Sequence, residues 1–558
     1  MNRVSSVAAL ALFVSSGAFA AESPASKPAA AEDRWWKHVE VLASDAMEGR
    51  DTGSKGYATA AGYVSKELAA LGVKPLLKTG FLQPMALQSR RLIEAKSSVA
   101  LVKDGQTVPL VQGEDVVLSS RQGDNGTVDA PLVFVGYGLS IPELGHDDFA
   151  GLDLKGKVVV LLQGGPADIP GPVKSHFSSW TERLKVLKAG GAVGYVYLQN
   201  PKMLELPWER IVGSSKNPTV VFADPSLNDS RGLKVAVVAN VAQSQKWLEG
   251  APHTYEELLA LADADKPLPK FDIPLRMKAK LAFDVKPLKS MNVVGVMPGA
   301  DPVLAKEYVV LSAHLDHVGI GEPVKGDRIY NGAMDNASGV AALLEVARRL
   351  HDQAEKPKRS VLFALVTGEE KGLLGSKYFA SRPPVPITSI VADFNLDMFM
   401  PHWPFTSVVA HGKDESSLAV PLAEVAAKQD IQVLEDPEPD RNLFVRSDQY
   451  SFIREGVPAL FFKFGYTPGS EEQKVFKQWL AERYHAPSDD LAQQPVDHEG
   501  AARFITFLTA LTNAVADAPR RPYWNDDSFF RRFAKPAPAE APAQAPVEAP
   551  VEAPAKGR

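Results

Sequence analysis

The chain has 558 residues, 61 Lys plus Arg against 67 Asp plus Glu, 45% hydrophobic residues and no cysteine. Without cysteine there is no disulfide scaffold, thiolate zinc site, iron-sulfur cluster or cysteine nucleophile, so any metal must be held by carboxylates and the 11 His. A formal net charge of -6 and the lack of a basic stripe argue against a nucleic-acid binder, which needs clustered cations to displace phosphate counterions.

Residues 1-20, MNRVSSVAALALFVSSGAFA, carry Arg3, an apolar run from Val7 to Val14 and Ala18-Phe19-Ala20. This pattern predicts a cleaved secretory signal, because the run is shorter than the ~20 residues a membrane helix needs. The expected product is exported, periplasmic or secreted, with no membrane span elsewhere. From Trp35 to Leu71 the spacing is helical, and Gly72 follows as a stop signal. From Ser98 to about Phe283 the texture changes to short β-rich runs, among them PLVFVGYGL, GKVVVLLQG and AVGYVYL. One helix, from Trp180 to Lys188, sits among them and ends on Gly190-Gly191. After MNVVGVMPG, strands and helices alternate to about Ala516, an α/β signature. Residues 534-558 alternate Pro, Ala and Glu, which cannot bury a core and predict an extended arm.

Four apolar runs in the second half, EYVVLSAH, SVLFALVTG, SIVADFNLD and VPALFFKF, read as buried parallel strands. Three of them end in potential ligand groups: His314 with Asp316, Glu369 with Glu370, and Asp397. Sites in open α/β sheets lie at the carboxyl ends of strands, so these groups are expected on one edge. Asp335 precedes the helix NASGVAALLEVARRL, where it is either a ligand or an N-cap. His485 lies in the loop AERYHAPSDD. Two histidines and several carboxylates without a thiol suit two divalent ions, zinc foremost. Strand alternation puts His314 and Asp316 on one face and His317 on the other, which leaves His317, like His402 and His411, as a structural or surface group. The Asp316 carboxylate is then placed to accept the second ring N-H of His314. Of the adjacent Glu369 and Glu370, one is expected to bind metal and the other to take a proton from water.

SAHLDHVG, NGAMDNASGVAALLEVAR, TGEEKGLLGSKYF, FNLDMF and YHAPSDD, in this order, resemble the dizinc aminopeptidase family, which includes bacterial aminopeptidases, glutamate carboxypeptidases and glutaminyl cyclases. The resemblance implies two zinc ions: His314 and Asp397 on one, Glu370 and His485 on the other, and Asp335 bridging both. It implies Glu369 as general base and acid, Asp316 as the partner of His314, and a cis peptide at Asp335-Asn336. It also implies an α/β fold with a mixed, mostly parallel sheet between helices, in a discontinuous catalytic domain of residues 31-95 and 286-520. Residues 96-285 are expected to form a β-rich insert that resembles a protease-associated domain.

One departure stands at RSDQYSFIREGVPAL, where Gln449 replaces the histidine of many relatives. The expected activity is hydrolysis of amino-terminal residues from peptides with a free amino terminus. Carboxypeptidase or cyclase action on the same fold is the alternative, and a non-catalytic binding protein is a third reading. Phe399, Met400, Trp403 and Phe405 either line an apolar pocket or fill the core. Lys463 is either a carboxylate-binding group or a surface charge.

Overall fold

The computed structural model describes residues 32-204, 206-229, 232-441, 443-492 and 495-536. The expected signal at 1-20 and the arm from residue 537 onward lie outside the described residues. The chain folds around two large sheets.

The four apolar runs become the strands Tyr308–His314, Ser360–Val366, Ile390–Leu396 and Ala459–Phe464. They lie side by side in the order 360-366, 308-314, 390-396, 459-464, all parallel. Every residue of the first and third of these strands is buried, as expected of strands covered on both faces. Antiparallel strands flank this centre: Phe283–Met297 pairs with 360-366, and Ser407–His411 pairs with 459-464. The sheet has ten strands in all.

Helices Glu32–Leu42, Lys55–Ala70, Ser338–Asp352 and His498–Asp517 supply apolar faces to a core with Val309, Leu311, Phe363, Phe394 and Phe462. The second sheet has eight strands, all from residues 98-281, and a separate core of Val158, Val160, Val196, Val237 and Trp247.

The two sheets do not divide the chain cleanly. Strand Thr219–Phe222, from within the expected insert, pairs with Leu82–Leu92 and extends the large sheet at its edge. The second region also has more helix than the sequence pattern suggests: Gly171–Ser178, Trp208–Ser215 and Tyr255–Asp263 accompany Trp180–Ala189. Each of the three is only eight or nine residues long, too short to display a clear period. The last did carry a local signal, the capping box between Thr254 and Glu257. No helix among the described residues is long and apolar enough to cross a membrane.

Candidate metal centre

Because the central strands are parallel neighbours, their ends share one edge. His314 closes its strand, Thr367-Gly368 lead from Val366 into Glu369 and Glu370, and Asp397 follows Leu396. Asp335 enters from an irregular turn, Ala333–Ala337, with the 335-336 peptide bond cis. Its backbone is not helical, at φ -109° and ψ 89°, and Ala337 occupies the cap of the following helix. Asp335 is therefore not the N-cap. His485 comes from the loop after helix Glu471–Glu482, at a φ of 52°.

These side chains converge. His314 Nε2 lies 3.3 Å from Asp335 Oδ1 and 3.4 Å from Asp397 Oδ1. His485 Nε2 lies 3.0 Å from Glu370 Oε2 and 3.4 Å from Asp335 Oδ2. Asp335 thus offers one oxygen to each half of the cluster. Glu369 lines the adjoining cleft with Asp335, Asp397 and His485.

His317 departs from the strand-alternation reading. It is fully buried, with Nδ1 2.8 Å from Glu370 Oε1 and 3.8 Å from Asp335 Oδ2. The period of two holds only within a strand, and this strand ends at His314. His317 N then bonds to the Arg50 carbonyl at 3.2 Å, which turns the chain toward the cluster. His402 and His411 lie elsewhere, on the Pro495 carbonyl and on Asp436.

The cluster holds buried polar atoms without a hydrogen-bond partner: His314 Nε2, both ring nitrogens of His317, Glu370 Oε1 and Asp397 Oδ1. Such orphans are costly when nothing satisfies them. Their donor set is nitrogen and carboxylate oxygen in two groups, His314-Asp335-Asp397 and His317-Asp335-Glu370, with ligand atoms within 4.8 Å of one another. That set fits two zinc-sized ions. Burial and Glu370 push the Asp335 carboxyl upward, but the imidazoles of His314 and His485 outweigh them and hold it below the usual carboxylate range. Burial likewise raises Glu370, and His485 and His317 outweigh it and hold it low. Glu369 moves the other way: burial, then repulsion from Asp397 and Glu370, raises it well above the ordinary range despite His314.

Several residues that sequence reading passed over hold this arrangement. Arg50 is fully buried and donates to the carbonyls of Leu315 at 2.9 Å, Asn331 at 2.8 Å and Gly332 at 2.9 Å. It ties the loop after His314 to the approach to Asp335. Asp489 accepts the backbone N-H groups of Met334 at 2.9 Å and Asp335 at 3.0 Å. Asn336 donates to the Leu396 carbonyl at 2.8 Å and links the turn to the strand before Asp397. Asp489 lies inside the YHAPSDD motif that supplied His485, the one hint available beforehand.

Asp316 makes a different bond from the one expected. His314 Nδ1 faces the main-chain oxygen of Asp316 at 3.1 Å. The carboxylate accepts the Thr52 hydroxyl at 3.0 Å and the Glu369 amide at 3.2 Å. Beyond the strand end, the residue presents its carbonyl to the ring and turns its side chain to the Glu369 loop.

Gln449 is buried and used internally. Its amide donates to the carbonyls of Leu443 at 3.1 Å and Phe444 at 3.0 Å and accepts from Asn395 at 2.8 Å. Phe399 and Phe405 fill the core, whereas Met400 and Trp403 face a smaller apolar pocket beside the cleft. Lys463 is no surface charge; it lines both spaces. From the second sheet region, Arg121 presses its guanidinium on Gly372 in the turn that carries Glu369.

Residues 292-510 match the model of peptidase family M28. A probable zinc metalloprotease of Pyrenophora teres is 34% identical over 113 residues, 20% of this chain and 23% of that protein. A probable leucine aminopeptidase of Trichophyton verrucosum is 32% identical over 124 residues, 22% of this chain and 31% of that protein. The matched stretches thus span under a third of either relative. The fold is shared with the aminopeptidase from Aneurinibacillus sp. strain AM-1, at a TM-score of 0.51 and 20% identity, over 88% of this chain and 94% of that one. Residues 292-510 are thus similar in sequence to peptidase family M28, and the chain shares its fold with a solved aminopeptidase.

Proposed function

We propose that the chain is an exported dizinc exopeptidase that removes amino-terminal residues from peptides. One observation carries this reading: two buried groups of imidazole and carboxylate share Asp335 at the strand edge, beside a cleft that also exposes Glu369. In this reading His314 and Asp397 hold one zinc, Glu370 and His485 the other, and Asp335 both. When bound, the two ions supply Lewis acidity, polarising a scissile carbonyl and acidifying a water.

Glu369 takes a proton from the attacking water and returns it to the leaving amine. Its position in the cleft beside Asp335, Asp397 and His485 suits both transfers. Asp316 fixes the geometry of that step, since its carboxylate holds the Glu369 amide while its carbonyl faces the ring of His314. His317 supports Glu370 through Oε1, while His485 faces Oε2. The second sheet region acts as a protease-associated-type insert whose Arg121 packs against Gly372 in the turn that carries Glu369.

Carboxypeptidase action uses the same groups on the other substrate terminus, whereas cyclase action replaces the attacking water by the substrate's own amino group, with ammonia as the leaving group. The test is metal content together with hydrolysis of paired peptides with free and acetylated amino termini. Two zinc ions per chain and cleavage of the free-amine peptide alone are expected. Cleavage of the acetylated peptide at an equal rate contradicts the aminopeptidase assignment.

A further inference from the structure

His485 has the least support from the sheet of all the residues in the metal cluster. His314, Glu370 and Asp397 close or follow buried parallel strands and Asp335 sits in a buried turn, whereas His485 comes from a loop after helix Glu471–Glu482. Its side chain is 22% exposed, against 1% for His314 and 4% for Asp335. Its backbone stands at a φ of 52°, a left-handed conformation that a residue with a Cβ keeps only where its surroundings enforce it.

Part of that enforcement is local. The amides of Arg483 and Tyr484 donate to the Trp479 carbonyl at 2.8 and 3.3 Å, and the Ala486 amide donates to the Arg483 carbonyl at 3.0 Å. A further part comes from far away in sequence. Arg210, on helix Trp208–Ser215, donates from Nη1 to the Tyr484 carbonyl at 2.8 Å and from Nη2 to the Ala481 carbonyl at 3.0 Å. The fixed fork of one guanidinium thus grips both ends of the turn 481-484. The Tyr484 carbonyl lies in the same rigid peptide plane as the His485 amide, so holding that oxygen sets the plane from which the His485 side chain departs. The rings of Tyr484 and His485 have centroids 3.9 Å apart, which carries a shift of either residue to the other.

Helix Trp208–Ser215 is itself anchored on two other sides. Trp208 donates from Nε1 to the Gly113 carbonyl at 2.8 Å, which ties the helix to the second sheet region. The helix also packs on strand Gly319–Val324, whose hairpin partner Asp327–Tyr330 leads into the Asp335 turn. Lys216, one residue beyond the helix, faces Glu322 of that hairpin at 3.7 Å. We propose that Arg210 is a positioning residue for His485, through which the second sheet region sets how tightly the zinc on Glu370 and His485 is held. The zinc on His314 and Asp397 is held independently of Arg210. The inference rests on the dizinc reading and adds a residue that touches neither metal nor substrate, since metal-ligand orientation is set by the partners behind the ligand.

The experiment titrates zinc into the full chain against a competing chelator, with circular dichroism beside it to show that each variant is folded. Arg210→Met is expected to keep one zinc at the wild-type affinity and to weaken the other by about tenfold to a hundredfold. Arg210→Lys, which carries the charge without the fork, is expected to fall between the two. Arg382→Gln is the control for a general loosening of the contact between the regions, because it removes the exposed ion pair to Asp224 at 2.6 Å, and it is expected to leave both zinc affinities unchanged. His485→Ala marks the full loss of that ligand. Unchanged affinities in Arg210→Met, equal weakening of both zinc ions, or an equal effect of Arg382→Gln overturn the proposal. If His485→Ala also binds two zinc ions at wild-type affinity, the ligand assignment falls and the inference with it; if only Arg210→Met does so, the assignment stands and the inference falls alone.

Discussion

Both sheets contain a run of parallel strands, yet their carboxyl ends differ in chemistry. In the large sheet the ends deliver His314, Glu369 with Glu370, and Asp397. In the second sheet, parallel strands Val158–Leu162, Gly194–Leu198 and Val235–Ala239 deliver Gln163, Gln199 with Asn200, and Asn240. Those amides are absorbed locally. Gln163 accepts from the Asn200 amide at 3.2 Å, Asn200 from Lys202 at 3.0 Å, and Asn240 from Ala242 at 3.1 Å. The charged ends of the large sheet instead leave buried nitrogen and oxygen atoms without partners. One architecture therefore supports a turn-capping edge and a ligand-holding edge, and the side chains at the strand ends decide which.

The comparison breaks most sharply at Asp335. Asp335→Asn removes the oxygen charge shared by His314 and His485, and loss of at least one zinc with about a thousandfold loss of activity is expected. Metal analysis beside circular dichroism checks this, because a folded chain that keeps both ions contradicts the shared role. A smaller effect is expected where the two regions touch. At Gly372, φ is +100° and an added Cβ would meet Arg121 Nη1 at 2.0 Å. Gly372→Ala is expected to cost about 3 kcal/mol and to lower kcat by displacing the turn that carries Glu369. Denaturation and kinetics together measure it, and an unchanged kcat separates the insert from catalysis.

The smallest effect concerns His176, which joins the second sheet region to the catalytic region through Tyr450 at 2.7 Å. Burial, only partly offset by Glu182, lowers its pKa from 6.5 to about 4. The folded state thus holds fewer protons than the unfolded state between these values, so stability is full above pH 6.5 and falls as pH drops toward 4. At pH 5 the loss is about 2 kcal/mol. His176→Gln, uncharged at every pH, is expected to flatten the acid limb of Tm against pH, and an unchanged limb removes His176 as its source.

Much of the large sheet was legible because its central strands are continuous apolar runs, and their polar ends stand out against them. The ordered motifs carried Asp335 and the cis bond at Asp335-Asn336, which no periodicity indicates. His317 was misread because alternation was extended past the last strand residue. Arg50, Asn336 and Asp489 were passed over because their partners are mostly main-chain atoms far away in sequence; Arg50 reaches a carbonyl 265 residues on. Strand Thr219–Phe222 was assigned with its neighbours in sequence, although its pairing partner lies in the other sheet.

The central claim is that Glu369 moves the proton while its neighbours hold metal. Its most direct test is Glu369→Gln, with zinc content measured beside kcat. Retention of two zinc ions with kcat lowered by about a hundredfold to ten-thousandfold is the expected result. Near-normal kcat with both ions bound, or loss of zinc along with activity, contradicts the division of labour between Glu369 and Glu370.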